Sequence, residues 1–209
     1  MHERIIETED CLLEGSKDLA GRFPEFARAI NLIGPLSLRH RPDGFSQLLS
    51  AIVSQQLSVA AANSIWSRLK KARLIGPRKI EAASDQELAE AGLSRQKIRY
   101  ARALAGSRIN YRNLRQLSTV EVIERLTQVS GIGNWTAEIY AMFSLGRADV
   151  FAPGDLALQE SARLLFELDE RPKEKEFRLI AEAWSPWRAV AARILWSYYR
   201  VSKEREGIR

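Results

Sequence analysis

The run Leu126-Thr-Gln-Val-Ser-Gly-Ile-Gly-Asn-Trp-Thr-Ala137 places two glycines where an apolar helix face breaks off, and a lone acid follows in Pro153-Gly-Asp155. Gly131 and Gly133 permit backbone conformations that other residues resist, and they put no side chain between the main chain and an approaching anion. A helix opening directly after them turns its first N–H groups outward, an arrangement that holds a phosphate oxygen. Such a contact positions a nucleic-acid backbone and reads no base. The same glycines fit a plain turn between two packed helices. Leu126, Val129, Ile132 and Ala137 supply the apolar positions that either hairpin needs. Asp155 follows a glycine and precedes a helical pattern, so its first reading is an N-cap. An acid that follows a phosphate-gripping turn is also a candidate to act on what the turn holds.

The elements that must position these groups read as helices throughout. The expectation is an all-α chain of about nine or ten short helices. Residues 17–31 put Leu19, Phe23, Phe26 and Ile30 at helical spacing. Pro35 and Pro42 punctuate the next stretch. Residues 44–72 are apolar and Ala-rich, broken at Ser54-Gln-Gln-Leu-Ser58, with Ser58 placed to cap the helix that carries Ala61, Ile65, Trp66 and Leu69. Ser84-Asp-Gln-Glu87 has the capping-box pattern. Ser94 opens a helix predicted to run to about Ile109, and Ser118 opens another with Val122, Ile123 and Leu126 inward. Further helices are predicted over 135–145 and 155–168, with Pro172 and Pro186 near the starts of the last two. There is no period-2 strand pattern, internal repeat or low-complexity linker.

With 209 residues the chain can build one substantial domain or two small lobes sharing a core. Lys and Arg number 32 against 26 acids, a net charge of +6. With a pI near 9.7, that balance suits a polyanionic partner. The single cysteine, Cys11, cannot form an internal disulfide, a Cys-rich zinc site or a four-Cys iron–sulfur cluster. It reads as a free thiol in a reducing cytosol. The N-terminus is charged, with no secretory apolar stretch, and no segment approaches the roughly 20 apolar residues of a membrane span. The expectation is a cytoplasmic monomer with no membrane partner. His2 and His40, the two histidines, lie away from the motifs and read as bystanders.

Several ordered motifs together resemble a known family. The hairpin run, Asp149-Val-Phe and Pro-x-Asp155 are similar to the helix-hairpin-helix DNA glycosylase superfamily, and within it to the 3-methyladenine DNA glycosylase II, or AlkA, type in its short form. Ala51-Ile-Val-Ser-Gln-Gln-Leu-Ser-Val59 resembles that family's early helix and turn, and Gly92-Leu-Ser-Arg-Gln-Lys97 its mid-domain turn. Trp184-Ser-Pro-Trp-Arg188 and Ala191-Ala-Arg-Ile-Leu-Trp196 resemble its C-terminal signature. The likeness covers roughly residues 20–200.

The resemblance implies two helical lobes with the active site in the cleft between them. Residues 44–148 would carry the hairpin, and residues 1–43 with 149–209 the catalytic acid. It implies a catalytic role for Asp155, whose carboxylate would stabilise positive charge on the deoxyribose and orient or deprotonate the attacking water. Asp149 matches a family position where structural hydrogen bonding is expected. Trp135 and Trp196 would line the base pocket with Ile139 and Leu156, the last two standing where the long bacterial type has tyrosines. Trp184 and Trp187 are expected in the core. Gln56 would enter the gap left by a flipped base, and Gly131, Ile132, Gly133, Asn134 and Thr136 would meet the DNA. Bifunctional relatives carry a lysine where Trp135 stands. Tryptophan cannot form their Schiff base, so the implied activity is base removal alone. The main-chain oxygens of Thr127, Val129 and Gly131 match a family site for a monovalent cation, Na+ or K+. No cofactor is otherwise implied, and no iron–sulfur cluster. The implied partner is double-stranded DNA containing alkylated bases, with the protein associating with the nucleoid. The alternative is a non-catalytic helix-hairpin-helix protein that recognises damaged or distorted DNA. Asp155 separates the two, because a pure binder has no use for an acid near bound phosphates.

Overall fold

The computed structural model describes residues 3–205. The described residues form thirteen helices: α1 (Glu9–Arg22), α2 (Pro24–Ile33), α3 (Phe45–Ser54), α4 (Val59–Lys71), α5 (Pro77–Ala82), α6 (Asp85–Glu90), α7 (Arg95–Gly106), α8 (Tyr111–Leu114), α9 (Thr119–Thr127), α10 (Asn134–Phe143), α11 (Leu156–Leu165), α12 (Glu174–Glu182) and α13 (Arg188–Arg205). No strand occurs among them, only an isolated bridge between Ile5 and Arg147. The fold is all-α. The count exceeds nine or ten because α5, α6 and α8 have six, six and four residues, too few to display a period. The helix predicted over 17–31 is two. Phe23 is extended (φ −134°, ψ 108°) because the Pro24 ring disfavours helical backbone in the residue before it. Pro24 then opens α2, where a missing N–H costs nothing.

The chain divides into two compact units, Arg41–Tyr140 and the paired segments Met1–His40 and Ala141–Arg209. These boundaries differ from the expected 44 and 148. Residues 141–148 bind the paired segments: Ile6 N–H donates to Gly146 O at 2.7 Å, Ala148 N–H to Arg4 O at 3.0 Å and Ala189 N–H to Ala148 O at 2.9 Å. Asp43 and Gly44 belong to the other unit. Asp43 pairs with Arg115 at 2.6 Å, and Gly44 N–H donates to Tyr140 Oη at 2.8 Å.

In the Arg41–Tyr140 unit, α3 packs on α4 and α7, and α7 also packs on α5 and α6. Leu48, Leu49, Ile52 and Val53 of α3 are fully enclosed, as are Leu69, Ala101 and Leu126. The serine caps form as the sequence patterns require. Ser58 Oγ accepts from Ala61 N–H at 3.2 Å, and both Ser84–Glu87 and Ser118–Glu121 make complete capping boxes.

In the other unit, α13 packs on α1, α2 and α11. Trp184, 1% exposed, centres an aromatic cluster. Phe26 and Phe151 meet it edge-on, each with ring centroids 5.3 Å away, while Phe166 stacks at 5.7 Å. Gly15 lets α1 approach closely, since a Cβ there would lie 2.7 Å from the Trp187 ring. Trp184 and Trp187 are therefore core residues.

Candidate nucleic-acid interface and catalytic acid

Helix α9 ends at Thr127, and Ile132 N–H donates back to Val129 O at 3.0 Å, closing the hairpin before α10 starts at Asn134. Gly131 has φ +94°, and a Cβ there would fall 2.3 Å from Tyr100 Cγ. Both the left-handed backbone and the tyrosine ring demand glycine at this position. Gly133 and Asn134 are exposed at the start of the ten-residue α10, whose first N–H groups can face an anion. Ile132 (4% exposed) and Thr136 (6%) are buried. Their side chains brace the hairpin, so any contact Ile132 makes with DNA must run through main chain.

The turn after α3 is tied to this hairpin. Gln55 Nε2 donates to Gly131 O at 2.9 Å. Lys97 Nζ donates to Val53 O at 2.6 Å and Gln55 O at 2.8 Å, satisfying carbonyls that the end of α3 leaves open. Burial lowers the Lys97 pKa. So held, Gln56 adopts φ +56° and is exposed. A cavity of about 540 Å³ within the same unit is lined by Gln47, Ser50, Gln55, Gln56, Trp135 and Ile139, among others. Trp135 is 43% exposed, unusual for so large an apolar surface. Four residues singled out from the sequence, Gln56, Trp135, Thr136 and Ile139, thus line one cavity.

Asp155 belongs to the other unit. Its Oδ1 accepts from Ala157 N–H and Leu158 N–H, both at 3.0 Å, capping α11. It also accepts from Trp196 Nε1–H at 3.2 Å. The Trp196 ring lies 5.8 Å from that of Phe143, tilted by 33°. Gln159 Nε2 donates to Pro153 O at 2.7 Å and fixes the turn before the acid. Trp196 therefore holds Asp155 through its N–H while its ring packs on Phe143. Leu156 is 62% exposed beside Asp155. Asp149 is engaged structurally, accepting from Ser185 Oγ at 2.8 Å and Arg188 Nε at 2.6 Å. His40 is exposed, and His2 lies outside the described residues.

Residues 49–186, which contain the hairpin, the Gln56 turn and Asp155, match the model of the HhH-GPD superfamily base excision DNA repair proteins. The chain belongs to the HhH-GPD superfamily. Among its HhH-GPD relatives, it is 30% identical to DNA-3-methyladenine glycosylase 1 of Schizosaccharomyces pombe over 219 residues, covering 99% of this chain and 96% of the relative. Its structure is similar to that of the S. pombe 3-methyladenine DNA glycosylase in complex with abasic DNA, with a TM-score of 0.76, 30% identity and 88% and 95% of the two chains covered. It is also similar to a DNA-3-methyladenine glycosidase from Bacillus halodurans, with a TM-score of 0.81, 34% identity and 96% and 94% covered.

The HhH-GPD hairpin relies on residues to which sequence reasoning gave no role. Lys97, Gln55 and Tyr100 set the turn and the hairpin, though Lys97 was visible as the last residue of the Gly92 motif. A helix that ends before an exposed turn leaves carbonyls for a cation to satisfy, but residue type alone does not say which cation does so. Among the described residues no cluster of three His, Cys, Asp or Glu could hold a metal ion. No helix among them is long and apolar enough to cross a membrane.

Proposed function

We propose that this chain is a monofunctional DNA glycosylase. It flips an alkylated purine such as 3-methyladenine or 7-methylguanine out of double-stranded DNA and hydrolyses the N-glycosidic bond, leaving an abasic site for base excision repair. The observation that carries this reading is the fixed carboxylate of Asp155, whose Oδ1 receives two helix amides and an indole N–H. So held, it can face the positive charge that develops at C1′ and orient the attacking water without reorganising. A methylated purine carries a formal positive charge and leaves easily, so little acid assistance is needed. The exposed face of Trp135 can stack on such a cationic base, an attraction of ~0.5–2 kcal/mol. An indole in place of an amine leaves water as the nucleophile. The exposed start of α10 takes backbone phosphate, and Gln56 occupies the gap in the stack.

The main-chain oxygens of Thr127, Val129 and Gly131 would hold a monovalent cation. Val129 O and Gly131 O each accept one hydrogen bond, from Ile132 N–H and Gln55 Nε2. A carbonyl has two lone pairs, so each keeps one for an ion. Bound there, the cation would brace the hairpin for phosphate. We place the protein in the cytoplasm as a monomer, in keeping with its single thiol.

The test is release of free base from duplex DNA carrying 3-methyladenine, with wild type beside Asp155→Asn. The expected result is release by wild type alone, with strands nicked only after alkali. Tight, salt-sensitive duplex binding without release across a panel of alkylated and deaminated bases would identify a non-catalytic binder instead.

A further inference from the structure

A smaller cavity lies within the unit that holds Asp155; it shares Trp196 with the catalytic-acid site, and the glycosylase reading gives its arginines no role. It measures about 50 Å³ and is lined in part by Ser37, Arg39, Arg193, Trp196, Ser197 and Arg200. One water-sized probe occupies ~10–15 Å³, so the space admits about three to five oxygen-sized groups. A phosphate group carries four oxygens.

Arg193 is 5% exposed. Its Nη1 donates to Ala189 O at 2.8 Å and its Nη2 to Met142 O at 3.4 Å. Its guanidinium carbon stands 4.6 Å from the Phe143 ring centroid. These contacts leave Nε enclosed with no hydrogen-bond partner. None of the ion pairs among the described residues joins Arg193 to a carboxylate. A buried guanidinium with a donor left over and no counter-ion is a costly arrangement unless something completes it. Burial pulls the Arg193 pKa down to about 10, and repulsion from Arg39 acts in the same direction. The group still carries its charge at neutral pH. Arg39 and Arg200 are exposed and border the same space. No acid lines it. Three guanidinium groups and two hydroxyls around a cavity of this size are complementary to an oxyanion, and planar guanidinium donors match phosphate oxygens in particular.

We propose that this cavity is an oxyanion site that takes a phosphate group, supplied by a DNA phosphodiester or by free phosphate. The proposal does not rest on the glycosylase reading, because phosphate binding is measured without any lesion.

The experiment titrates inorganic phosphate into the whole protein at constant ionic strength, with chloride as the balancing salt, and follows Tm and tryptophan fluorescence. Wild type should gain Tm with phosphate and not with chloride. The double variant Arg39→Gln, Arg200→Gln changes only exposed side chains, and its phosphate affinity should fall at least tenfold. Arg193→Met should abolish the response. If Arg193→Met fails to fold, the double variant still decides. An equal response to phosphate and chloride, or an unchanged response in the double variant, overturns the proposal. A second arm identifies the source by scanning a duplex with single neutral methylphosphonate linkages. If DNA supplies the phosphate, one linkage should cost wild type about tenfold and the double variant nothing. If the site serves free phosphate, wild type and the double variant should bind every duplex alike while still differing toward phosphate.

Discussion

Asp155 and Gln56 both sit in turns at helix ends, and they are held in opposite ways. At Asp155 the side chain is locked, with Oδ1 receiving two amides and an indole N–H. At Gln56 the backbone is locked by Lys97 and Gln55, while the side chain stays exposed. The difference matches what each proposed role needs. A carboxylate that stabilises a developing charge loses effect if it must reorient. A residue that enters a gap in stacked bases needs a firm base and an adaptable tip. The strain is distributed in the same way. Gln56 accepts a left-handed φ of +56°, which non-glycine residues seldom adopt, whereas Asp155 has ordinary extended values (φ −76°, ψ 117°).

The largest expected effect lies at the locked side chain. Asp155→Asn keeps an oxygen for the α11 amides, so Tm should move little while the single-turnover rate of base release falls at least about a hundredfold. Asp155→Ala should lose the same activity and also about 1 kcal/mol of stability from the missing cap. An Asn variant that loses stability as the Ala variant does, or that keeps its rate, would reduce Asp155 to a cap.

The proposed dual role of Asp155 marks the limit of what the sequence made legible. The serine caps and the two glycines of the hairpin follow from local patterns, because each depends on neighbours a few residues away, whereas the burial of Trp184 rests on Phe26, Phe151 and Phe166, all distant in the chain. Asp155 as a cap was equally legible. Its indole donor, Trp196, lies 41 residues further along the chain, and no local rule joins them. The break at Phe23 could have been read from Pro24 but was masked by the helical spacing of Leu19, Phe23, Phe26 and Ile30. Lys97 was hardest to see. Its partners are main-chain carbonyls, which leave no trace in residue type.

The next effect tests the hairpin against which the Gln56 turn is braced. Gly131→Ala should cost at least about 1–2 kcal/mol for the left-handed backbone alone, and more because the new Cβ meets Tyr100. Urea unfolding of Gly131→Ala with and without Tyr100→Ala separates the two contributions, since only the clash is relieved in the double variant. Duplex affinity should stay low in both.

A smaller effect is expected at the exposed side chain itself. Gln56→Ala should weaken binding to lesion-containing duplex about tenfold, ~1.4 kcal/mol, with stability unchanged. Gln56→Gly should weaken binding similarly yet unfold at equal or higher urea, because glycine relieves the left-handed strain. Normal lesion binding by either variant would take Gln56 out of the gap and leave the contrast with Asp155 without one of its sides.

The smallest effect concerns the anchor of that backbone. Burial lowers the Lys97 pKa below its ordinary 10.5 in the folded state, so the unfolded chain holds the Lys97 proton more tightly. Between the lowered value and 10.5 the unfolded state binds more protons, and stability contributed by this group must rise with pH. Below the lowered value both states are charged, and the contribution is flat. Lys97→Met has no such titration. The difference in unfolding free energy between wild type and Lys97→Met should therefore move toward wild type across that alkaline window and hold steady near neutrality. A gap that moved the other way would mean that the carbonyls of Val53 and Gln55 favour the ammonium more than burial disfavours it. The Gln56 backbone would then be pinned by charge as firmly as the Asp155 side chain.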